Sequence, residues 1–385
     1  MYPDLSYLLH DIFGTPVDNV FSVVKMFGLM LALAFLASAY VFSLELKRKE
    51  REGLLSGVKE IQYENRTRLQ ELLVQGLIGF ILGFKIGAIV SDFDAFKADP
   101  ASIVFSGEGN AIWGLIVAGI FMAITYPAYQ KTKKEGAKKV KVTVMPHQRV
   151  GDITIVAAIS GILGARLFSI LENFGDFIQD PIGQLFSGSG LTIYGGLILA
   201  FIVVYWYVKK KGIAPIHVMD AVAPALIVGY AVGRMGCQLA GDGDWGIVNA
   251  AAVPDWFFLP DWLWSFDYPR NVLNEGVLME NCVGNYCHRL EPPVYPTPAY
   301  EVIMGTIIFI ILWLLRKRAK VAGTIFFVYV LLNGIERFII ENIRVNPRYT
   351  FLGVELSQAQ YIALGLVAVG IIGLYQLYRK KGRLF

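Results

Sequence analysis

Nine long apolar runs constrain the fold of this chain more than any other feature. Each run is long enough to cross the roughly 30 Å hydrocarbon core of a bilayer as a helix. The runs lie near residues 18–45, 72–91, 110–129, 151–171, 191–208, 218–240, 298–315, 322–341 and 357–378. The composition agrees, because only 17% of the residues are charged, against about 25% in soluble proteins. We therefore predict an all-α polytopic membrane protein with about nine transmembrane helices, in a single membrane domain of residues 1–385.

Basic residues predict the orientation of these spans. Lys and Arg are retained on the cytoplasmic side of a membrane, and here they cluster after every odd-numbered span. The clusters are Lys47 to Arg51, Lys131 to Lys141, Lys209 to Lys211, Arg316 to Lys320 and Arg379 to Arg383. We therefore expect the N-terminus outside and the C-terminus in the cytoplasm. Because these segments account for the net charge of +4, that charge indicates no nucleic-acid partner.

The histidines and cysteines indicate little chemistry. The four histidines are scattered without the spacing of metal ligands, so no metal site is expected. Cys237 lies in a predicted span, where the role of a small buried apolar residue is favoured. Cys282 and Cys287 share a segment on the outside, where an oxidising compartment allows a disulfide. A disulfide and two free thiols both remain open at this point.

An internal repeat accounts for two of the predicted spans. Residues 81–114 align without a gap on residues 162–195, and 14 of the 34 positions are identical. The matches include Asp-Pro and Phe-Ser-Gly-x-Gly, which shared apolar composition does not explain. We interpret residues 72–130 as an extra helical hairpin that duplicates residues 151–210 in the same sense.

The longest segment between spans, residues 243–297, is predicted to be an extracytoplasmic insert. It contains seven acidic residues, two Arg and no Lys, together with many aromatic side chains. An aromatic belt at the membrane interface is one interpretation. A lid that guides or excludes substrates is the other.

Charged residues within the spans point to a site near the outer leaflet. Arg234 lies about six residues before the outer end of the sixth span, and Arg337 lies at the corresponding depth of the eighth. Glu341 and Arg344 follow Arg337 at i+4 and i+7, which would place them on one helical face. Arg166 lies near the outer end of the fourth span. A lone arginine is more often snorkelling or locked in an ion pair, but two at matching depth favour an anion such as a lipid phosphate.

Four motifs resemble one enzyme family. The segment GRMGCQLAGDGDWG (233–246) is similar to the signature of the prolipoprotein diacylglyceryl transferases, with Arg234 at the signature arginine. YPTPAYE (295–301), ERFIIENIR (336–344) and FGLM (27–30) resemble three further motifs of that family, and the second places its other essential arginine at Arg337. The family usually has seven spans, so the duplicated hairpin would bring the number to nine.

The resemblance implies a reaction and its partners. The family transfers the diacylglyceryl group of phosphatidylglycerol to the lipobox cysteine of a prolipoprotein, forming a thioether and releasing glycerol phosphate. The implied partners are phosphatidylglycerol, prolipoprotein signal peptides and the lipid bilayer, with no cofactor. The implied location is the bacterial cytoplasmic (inner) membrane, with the active site facing the outer leaflet.

Three positions depart from the family pattern. Its His-Gly-Gly-Leu motif is Tyr194-Gly195-Gly196-Leu197 here, so the histidine often assigned as the base is replaced. Cys237 stands where the signature has asparagine, and Asn333 stands where the family has tyrosine. A catalytically inactive lipid-binding homologue therefore remains an alternative, and the repeat leaves a small-solute transporter as another.

The resemblance and the depth of the charges together suggest a role for each candidate. Arg234 and Arg337 are assigned to the phosphate, and Tyr194 to orienting an oxygen atom by a hydrogen bond. Glu301 or Glu341 is assigned to the thiol proton, with an ion pair to Arg337 as the favoured alternative for Glu341. The remaining predicted substrate-binding residues are Arg166, Gly195, Gly196, Asp242, Asp244, Tyr300, Asn333 and Arg344. Asp242 and Asp244 would hold the lipobox backbone or form a turn that caps the sixth span.

Overall fold

The computed structural model divides into two compact units. One unit contains Met1–Leu55 and Ile213–Phe385, and the other contains Ser56–Gly212. The structure describes residues 1–64, 69–98, 100–105, 107–135, 138–181, 192–351 and 353–385.

The first unit is built from long helices. The regular elements of this unit, in chain order, are α1 (Leu5–Phe13), α2 (Met26–Arg51), α10 (Pro215–Ala240), β3 (Val277–Leu278), β4 (His288–Arg289), α11 (Thr297–Leu315), α12 (Thr324–Ile340), β5 (Arg348–Phe351), β6 (Val354–Ser357) and α13 (Gln358–Lys381).

The second unit contains the helices and strands in between. These are β1 (Val58–Glu64), α3 (Leu69–Ser91), α4 (Phe93–Ala98), α5 (Pro100–Phe105), α6 (Ala111–Glu135), β2 (Lys138–Val144), α7 (Val150–Glu172), α8 (Phe174–Gln179) and α9 (Ile193–Lys210).

Small residues allow α10 to lie close against α2. A Cβ atom added at Gly229 would lie 2.2 Å from Oγ of Ser38, and one added at Gly236 would lie 2.9 Å from Cβ of Met30. Close approach of this kind is typical of helix pairs in membranes, where packing replaces the hydrophobic drive. The contact places the Arg234 end of α10 against the first turns of α2.

A buried carboxylate links α10 to the start of α12. Asp220 accepts hydrogen bonds from the backbone N–H groups of Gly323 (2.8 Å) and Phe326 (3.0 Å). It also pairs with Lys49 of α2 at 3.6 Å. These N–H groups have no partner within their own helix, so Asp220 acts as a cap supplied by another helix.

Two helical hairpins form the second unit. In the first, α3 packs on α6, and a Cβ at Gly83 would lie 2.3 Å from the carbonyl oxygen of Trp113. In the second, α7 packs on α9, and a Cβ at Gly164 would lie 2.5 Å from the carbonyl oxygen of Gly195. Part of the aligned sequence, including residues 182–191, lies outside the described residues. The duplication therefore stays a prediction.

The structure confirms an all-α polytopic membrane protein. Seven helices of the described residues are long and apolar enough to cross a membrane: Met26–Arg51, Leu69–Ser91, Ala111–Lys134, Pro146–Glu172, Pro215–Ala240, Thr297–Leu315 and Gln358–Lys381. The other two predicted spans coincide with α9, of 18 residues, and α12, of 17 residues. The total of about nine spans stays a prediction, as does the orientation.

The first predicted span began too early. Residues 18–25 precede the helix, with a short 3₁₀ turn at Val20–Val23, and α2 begins at Met26. An antiparallel bridge between Asp4 and Lys25 and an ion pair between the same side chains (3.8 Å) hold this segment to the start of the chain.

The sequence interpretation also missed a two-stranded antiparallel sheet. Strands β1 and β2 pair with Val58 opposite Val144 and Glu64 opposite Lys138. The pattern Lys-Val-Lys-Val-Thr-Val alternates as a strand does, although we interpreted it only as a basic loop.

The insert contains little regular structure. A disulfide joins Cys282 to Cys287, which resolves the alternatives left open by the sequence. The nearby backbone N–H groups of Asn285 and Tyr286 donate to the hydroxyl of Tyr7, at 3.0 and 3.4 Å. The start of the chain is therefore fastened to the insert.

Candidate functional site

The buried carboxylate of Glu301 is the centre of a cluster of charges. Glu301 lies in the second turn of α11 and is fully buried. Its oxygens lie 3.0 Å from Nε of Arg234 and 3.1 Å from Nη1 of Arg344. They also lie 3.4 Å from Nη1 of Arg337. Arginines from α10, from α12 and from the segment after α12 therefore converge on one carboxylate.

Asp244 joins two of the same arginines from the other side. Its carboxylate pairs with Nη1 of Arg234 and, at 2.7 Å, with Nη2 of Arg344. The helix α10 ends because Gly241 adopts a left-handed conformation, with φ of 65°. The hydroxyl of Thr297 then donates to the carbonyl oxygen of Asp244 at 2.7 Å. The loop is thus tied to the start of α11.

Opposing effects act on the pKa of Asp244. Burial alone would raise it, but the guanidinium groups of Arg234 and Arg344 outweigh burial and hold the pKa of the Asp244 carboxyl below its ordinary value. Burial raises the pKa of the neighbouring Asp242 carboxyl. Two acids separated by one residue therefore differ in their readiness to hold a proton.

Glu341 makes the ion pair that the sequence favoured for it. Its carboxylate lies 3.1 Å from Nη2 of Arg337. It also accepts hydrogen bonds from the side chains of Ser357, at 2.8 Å, and Asn346. Since Ser357 is the N-cap of α13, Glu341 connects the Arg337 end of α12 to the start of the next helix.

Arg337 and Glu341 pair across one turn as predicted, but the placement of Arg344 on the same helical face is wrong. The helix α12 ends at Ile340, a short 3₁₀ turn covers Glu341–Ile343, and Arg344 has extended backbone angles. The extended segment forms a bridge to Gly246, and the N–H of Ile247 donates to the carbonyl oxygen of Ile343 at 2.8 Å. This pairing turns Arg344 toward Asp244 and Glu301.

Sequence reasoning missed two residues beside the cluster. The ring of Tyr230 lies under the guanidinium of Arg234, 5.4 Å from its central carbon. The Tyr230 hydroxyl donates to Oε1 of Glu336 at 3.2 Å, and Glu336 is 4% exposed. An acid within a predicted span, next to Arg337, was the available signal, because such residues are rare in membranes.

One group of described residues has the ligand types for a metal. Sγ of Cys237 and carboxylate oxygens of Asp242 and Asp244 lie within 4.8 Å of one another. However, Arg234 and Arg344 already neutralise Asp244, and Nη1 of Arg234 lies 3.8 Å from the same sulfur. Two guanidinium groups so close disfavour a cation here. Cys237 is buried, as expected for a small apolar residue.

The remaining candidates are more dispersed. Asn333 lies one turn before Arg337 on α12 and is half-buried. Tyr300 donates from its hydroxyl to the carbonyl oxygen of Leu263, so it ties α11 to the insert. Their roles in binding substrate stay predictions.

Four candidates belong to the second unit. Gly195 and Gly196 lie in α9 against α7, where a Cβ at Gly195 would be 2.3 Å from Cβ of Phe168. These glycines therefore serve helix packing. Tyr194 is the second residue of α9, but its side chain lies outside the described residues, and Arg166 lies in α7. The approach of these residues to the arginine cluster stays a prediction.

The cluster is suited to binding an anion. Three guanidinium groups face three carboxylates, Asp244, Glu301 and Glu341, and the arginine side chains are between 11% and 20% exposed. A guanidinium has five N–H donors in a fixed plane. Arg234 uses Nε in its contact with Glu301 and Nη1 in its contact with Asp244.

Comparison with known proteins gives one consistent result. The sequence model of the family described as prolipoprotein diacylglyceryl transferase matches residues 128–376, more than half of the chain. A phosphatidylglycerol–prolipoprotein diacylglyceryl transferase of Corynebacterium diphtheriae is 29% identical over 67% of this chain and 85% of its own length. Similar proteins of the same name from Lysinibacillus sphaericus and Clostridium tetani are also 29% identical, over 67% and 70% of this chain and 84% and 94% of their own lengths. By the extent of these matches, the chain belongs to the prolipoprotein diacylglyceryl transferase family.

Proposed function

We propose that this protein transfers the diacylglyceryl group of phosphatidylglycerol to the lipobox cysteine thiol of a prolipoprotein. The names of its relatives give these two substrates. The observation that carries the proposal is the convergence of Arg234, Arg337 and Arg344 on Glu301. Three guanidinium groups that are held in place by Glu301, Asp244 and Glu341 would form a preformed site for the phosphate of a lipid headgroup.

The phosphate would bind to the guanidinium groups of Arg234 and Arg337. Planar guanidinium groups match the tetrahedral phosphate by paired hydrogen bonds, which an ammonium group does not reproduce. Because the arginines are already held by Glu301, Asp244 and Glu341, little side-chain entropy is lost when the lipid binds.

The reaction needs a nucleophile and a leaving group. The sulfur of the lipobox cysteine attacks the carbon of the diacylglyceryl group that is bonded to a phosphate oxygen. A C–S bond forms, and the C–O bond between that carbon and the phosphate breaks. Glycerol phosphate leaves with the electron pair of that bond. Arg234 and Arg337 stabilise the charge that develops on the departing phosphate, which is where electrostatic catalysis contributes most.

The prolipoprotein would approach from the loop side of the cluster. Asp242 and Asp244 lie in the loop after α10 and can accept hydrogen bonds from a peptide backbone. Tyr194 would orient an oxygen of one substrate, and Gly195, Gly196 and Arg166 would contribute to substrate binding. Tyr300, Asn333 and Arg344 would provide further substrate contacts. In this proposal both units form one membrane domain in the bacterial inner membrane, and the site faces the outer leaflet.

The first test is transfer by the purified full-length protein. The protein is placed in nanodiscs that contain phosphatidylglycerol and is mixed with a lipobox peptide, and the lipidated peptide is measured by mass spectrometry. A peptide with serine in place of the cysteine is the substrate control. We expect thioether product with the cysteine peptide alone.

The matched variants are Arg234→Ala, Arg337→Ala and Arg289→Ala. Arg289 lies in β4, is half exposed and pairs with Asp267 at 3.9 Å. We expect the first two to lose at least about 100-fold in rate, as for removal of one donor to a transition-state charge. Arg289→Ala should retain the wild-type rate. Full transfer by Arg234→Ala would overturn the phosphate site, and lipid binding without transfer by the wild-type protein would assign a lipid-binding role instead.

A further inference from the structure

The thiol must lose its proton before or during the attack. A free thiol has a pKa of about 8.5, so only a few per cent is thiolate at neutral pH. The two acids that the sequence suggested as acceptors, Glu301 and Glu341, are both paired with guanidinium groups. A carboxylate that neutralises a guanidinium ion gains less from accepting a proton.

Glu336 is a buried acid beside this cluster and makes no ion pair among the described residues. It lies on α12 immediately before Arg337 and is 4% exposed. Its Oε1 accepts the hydroxyl of Tyr230 at 3.2 Å. Its Oε2 is buried and has no hydrogen-bond partner among the described residues. A buried carboxylate in that condition is destabilised as an anion and gains by taking a proton.

Tyr230 connects this acid to the arginine cluster. Its ring packs on the guanidinium of Arg234, and its hydroxyl points to Glu336 on the neighbouring helix. A tyrosine hydroxyl can accept one proton while it donates another. The residue therefore joins the phosphate-binding arginine to a buried acid.

We propose that Glu336 is the final proton acceptor for the lipobox thiol and that Tyr230 relays the proton. The thiol S–H bond breaks, its proton passes to the Tyr230 oxygen, and the Tyr230 hydroxyl proton passes to Glu336. The electron pair left on sulfur forms the C–S bond, and the electron pair of the C–O bond leaves with glycerol phosphate. The proton on Glu336 is later released to water. This inference rests on the proposed transfer reaction.

The titratable and charged groups around Glu336 lie on the helices that pack near it. Tyr230 and Arg234 face it from α10, Glu301 from α11, and Arg337 and Tyr329 from α12 itself. The helix α13 carries no charged residue before Arg379, near its other end.

The test compares three variants over a range of pH. Glu336→Gln keeps the shape of the side chain but cannot take the proton, and Tyr230→Phe keeps the ring under Arg234 but breaks the relay. Tyr375→Phe is the matched control, because Tyr375 is exposed on α13 and lies near the start of α12, at the opposite end from Glu336. Transfer to the lipobox peptide is measured with full-length protein in phosphatidylglycerol nanodiscs from pH 6.5 to about 9.5.

At pH 7 we expect Glu336→Gln and Tyr230→Phe to transfer about 100-fold more slowly than the wild type, as for loss of a general base. The deficit should shrink to less than about 10-fold near pH 9.5, because the thiol then ionises without help. Lipid binding and thermal stability are measured for each variant. Tyr375→Phe should match the wild type at every pH.

Two results would overturn the relay. One is wild-type transfer by either variant at pH 7. The other is a deficit that stays constant with pH, because this would indicate a structural role. If Glu336→Gln does not fold, the more conservative Tyr230→Phe decides the question. Failure of the wild-type protein to transfer at any pH would instead refute the proposed function, so the two failures are distinguishable.

Discussion

The guanidinium of Arg344 lies 2.7 Å from the carboxylate of Asp244, although the two residues are 100 positions apart. The contact exists because the extended chain after α12 pairs with the loop after α10. Arg344 thereby bridges Asp244 and Glu301 and connects the two carboxylates that hold Arg234.

Replacement of Arg344 should weaken the whole cluster. Arg344→Lys keeps the charge, but one ammonium group cannot reproduce the two directed contacts of the guanidinium. We expect a transfer rate about 10-fold or more below the wild type, and a larger loss for Arg344→Ala. Arg348→Lys, at an exposed position in β5, is the control. Equal rates for Arg344→Lys and Arg348→Lys would show that the bridge is dispensable.

Glu301→Gln should destabilise the protein strongly. The substitution removes the only negative charge that the three arginines share, and breaking a buried ion pair costs about 3–5 kcal/mol. Thermal unfolding of the purified protein, compared with that of Glu355→Gln on the exposed strand β6, measures the effect. A melting temperature unchanged by Glu301→Gln would contradict the central role of this carboxylate.

Asp220→Asn should destabilise the start of α12 without changing the chemistry. The amide retains one acceptor oxygen, so one of the two capping hydrogen bonds and the ion pair to Lys49 are lost. A lost cap costs about 1–2 kcal/mol. Because Asp220 lies at the opposite end of α12 from Arg337, the transfer rate of the folded protein should remain that of the wild type. Asp255→Asn, in the exposed insert, is the control for stability.

Stability should fall at acid pH through Asp244. Its folded-state pKa lies below the ordinary value because Arg234 and Arg344 favour the carboxylate. The stabilisation is therefore complete above the unfolded-state pKa of about 3.9 and is lost as the pH falls through the lower, folded-state value. Wild type and Asp244→Asn should differ in melting temperature at pH 7 and converge as the pH drops below about 4. A constant difference down to pH 3 would contradict this linkage.

The sequence allowed most of the helices to be predicted because apolar runs of membrane length have few alternative structures. It also indicated Arg234 and Arg337, since an arginine in an apolar run is costly and needs a partner. The convergence of both on Glu301 was not predictable, because it depends on the depth at which α10, α11 and α12 pack. Spacing alone suggested a helical face for Arg344, but the chain leaves the helix at Ile340.

Glu336 and Tyr230 show a second limit of sequence reasoning. Glu336 lies within a segment that resembles a motif of the family, but the sequence interpretation considered only the neighbouring Arg337. Tyr230 is one of 19 tyrosines. Its position one helical turn before Arg234 indicates a role only when the packing of α12 brings Glu336 to its hydroxyl. The strand β2 was missed for a different reason, since its lysines dominated the interpretation of an alternating pattern.

The glycines that bring α10 against α2 have a mechanical consequence. Because Gly229 and Gly236 have no side chains, Ser38 and Met30 of α2 lie directly against the backbone of α10. The part of α10 that carries Arg234 therefore has no room to shift toward α2. This part of α10 is therefore expected to stay fixed against α2. Any rearrangement that admits a bulky headgroup is therefore expected on the side of α10 that faces away from α2.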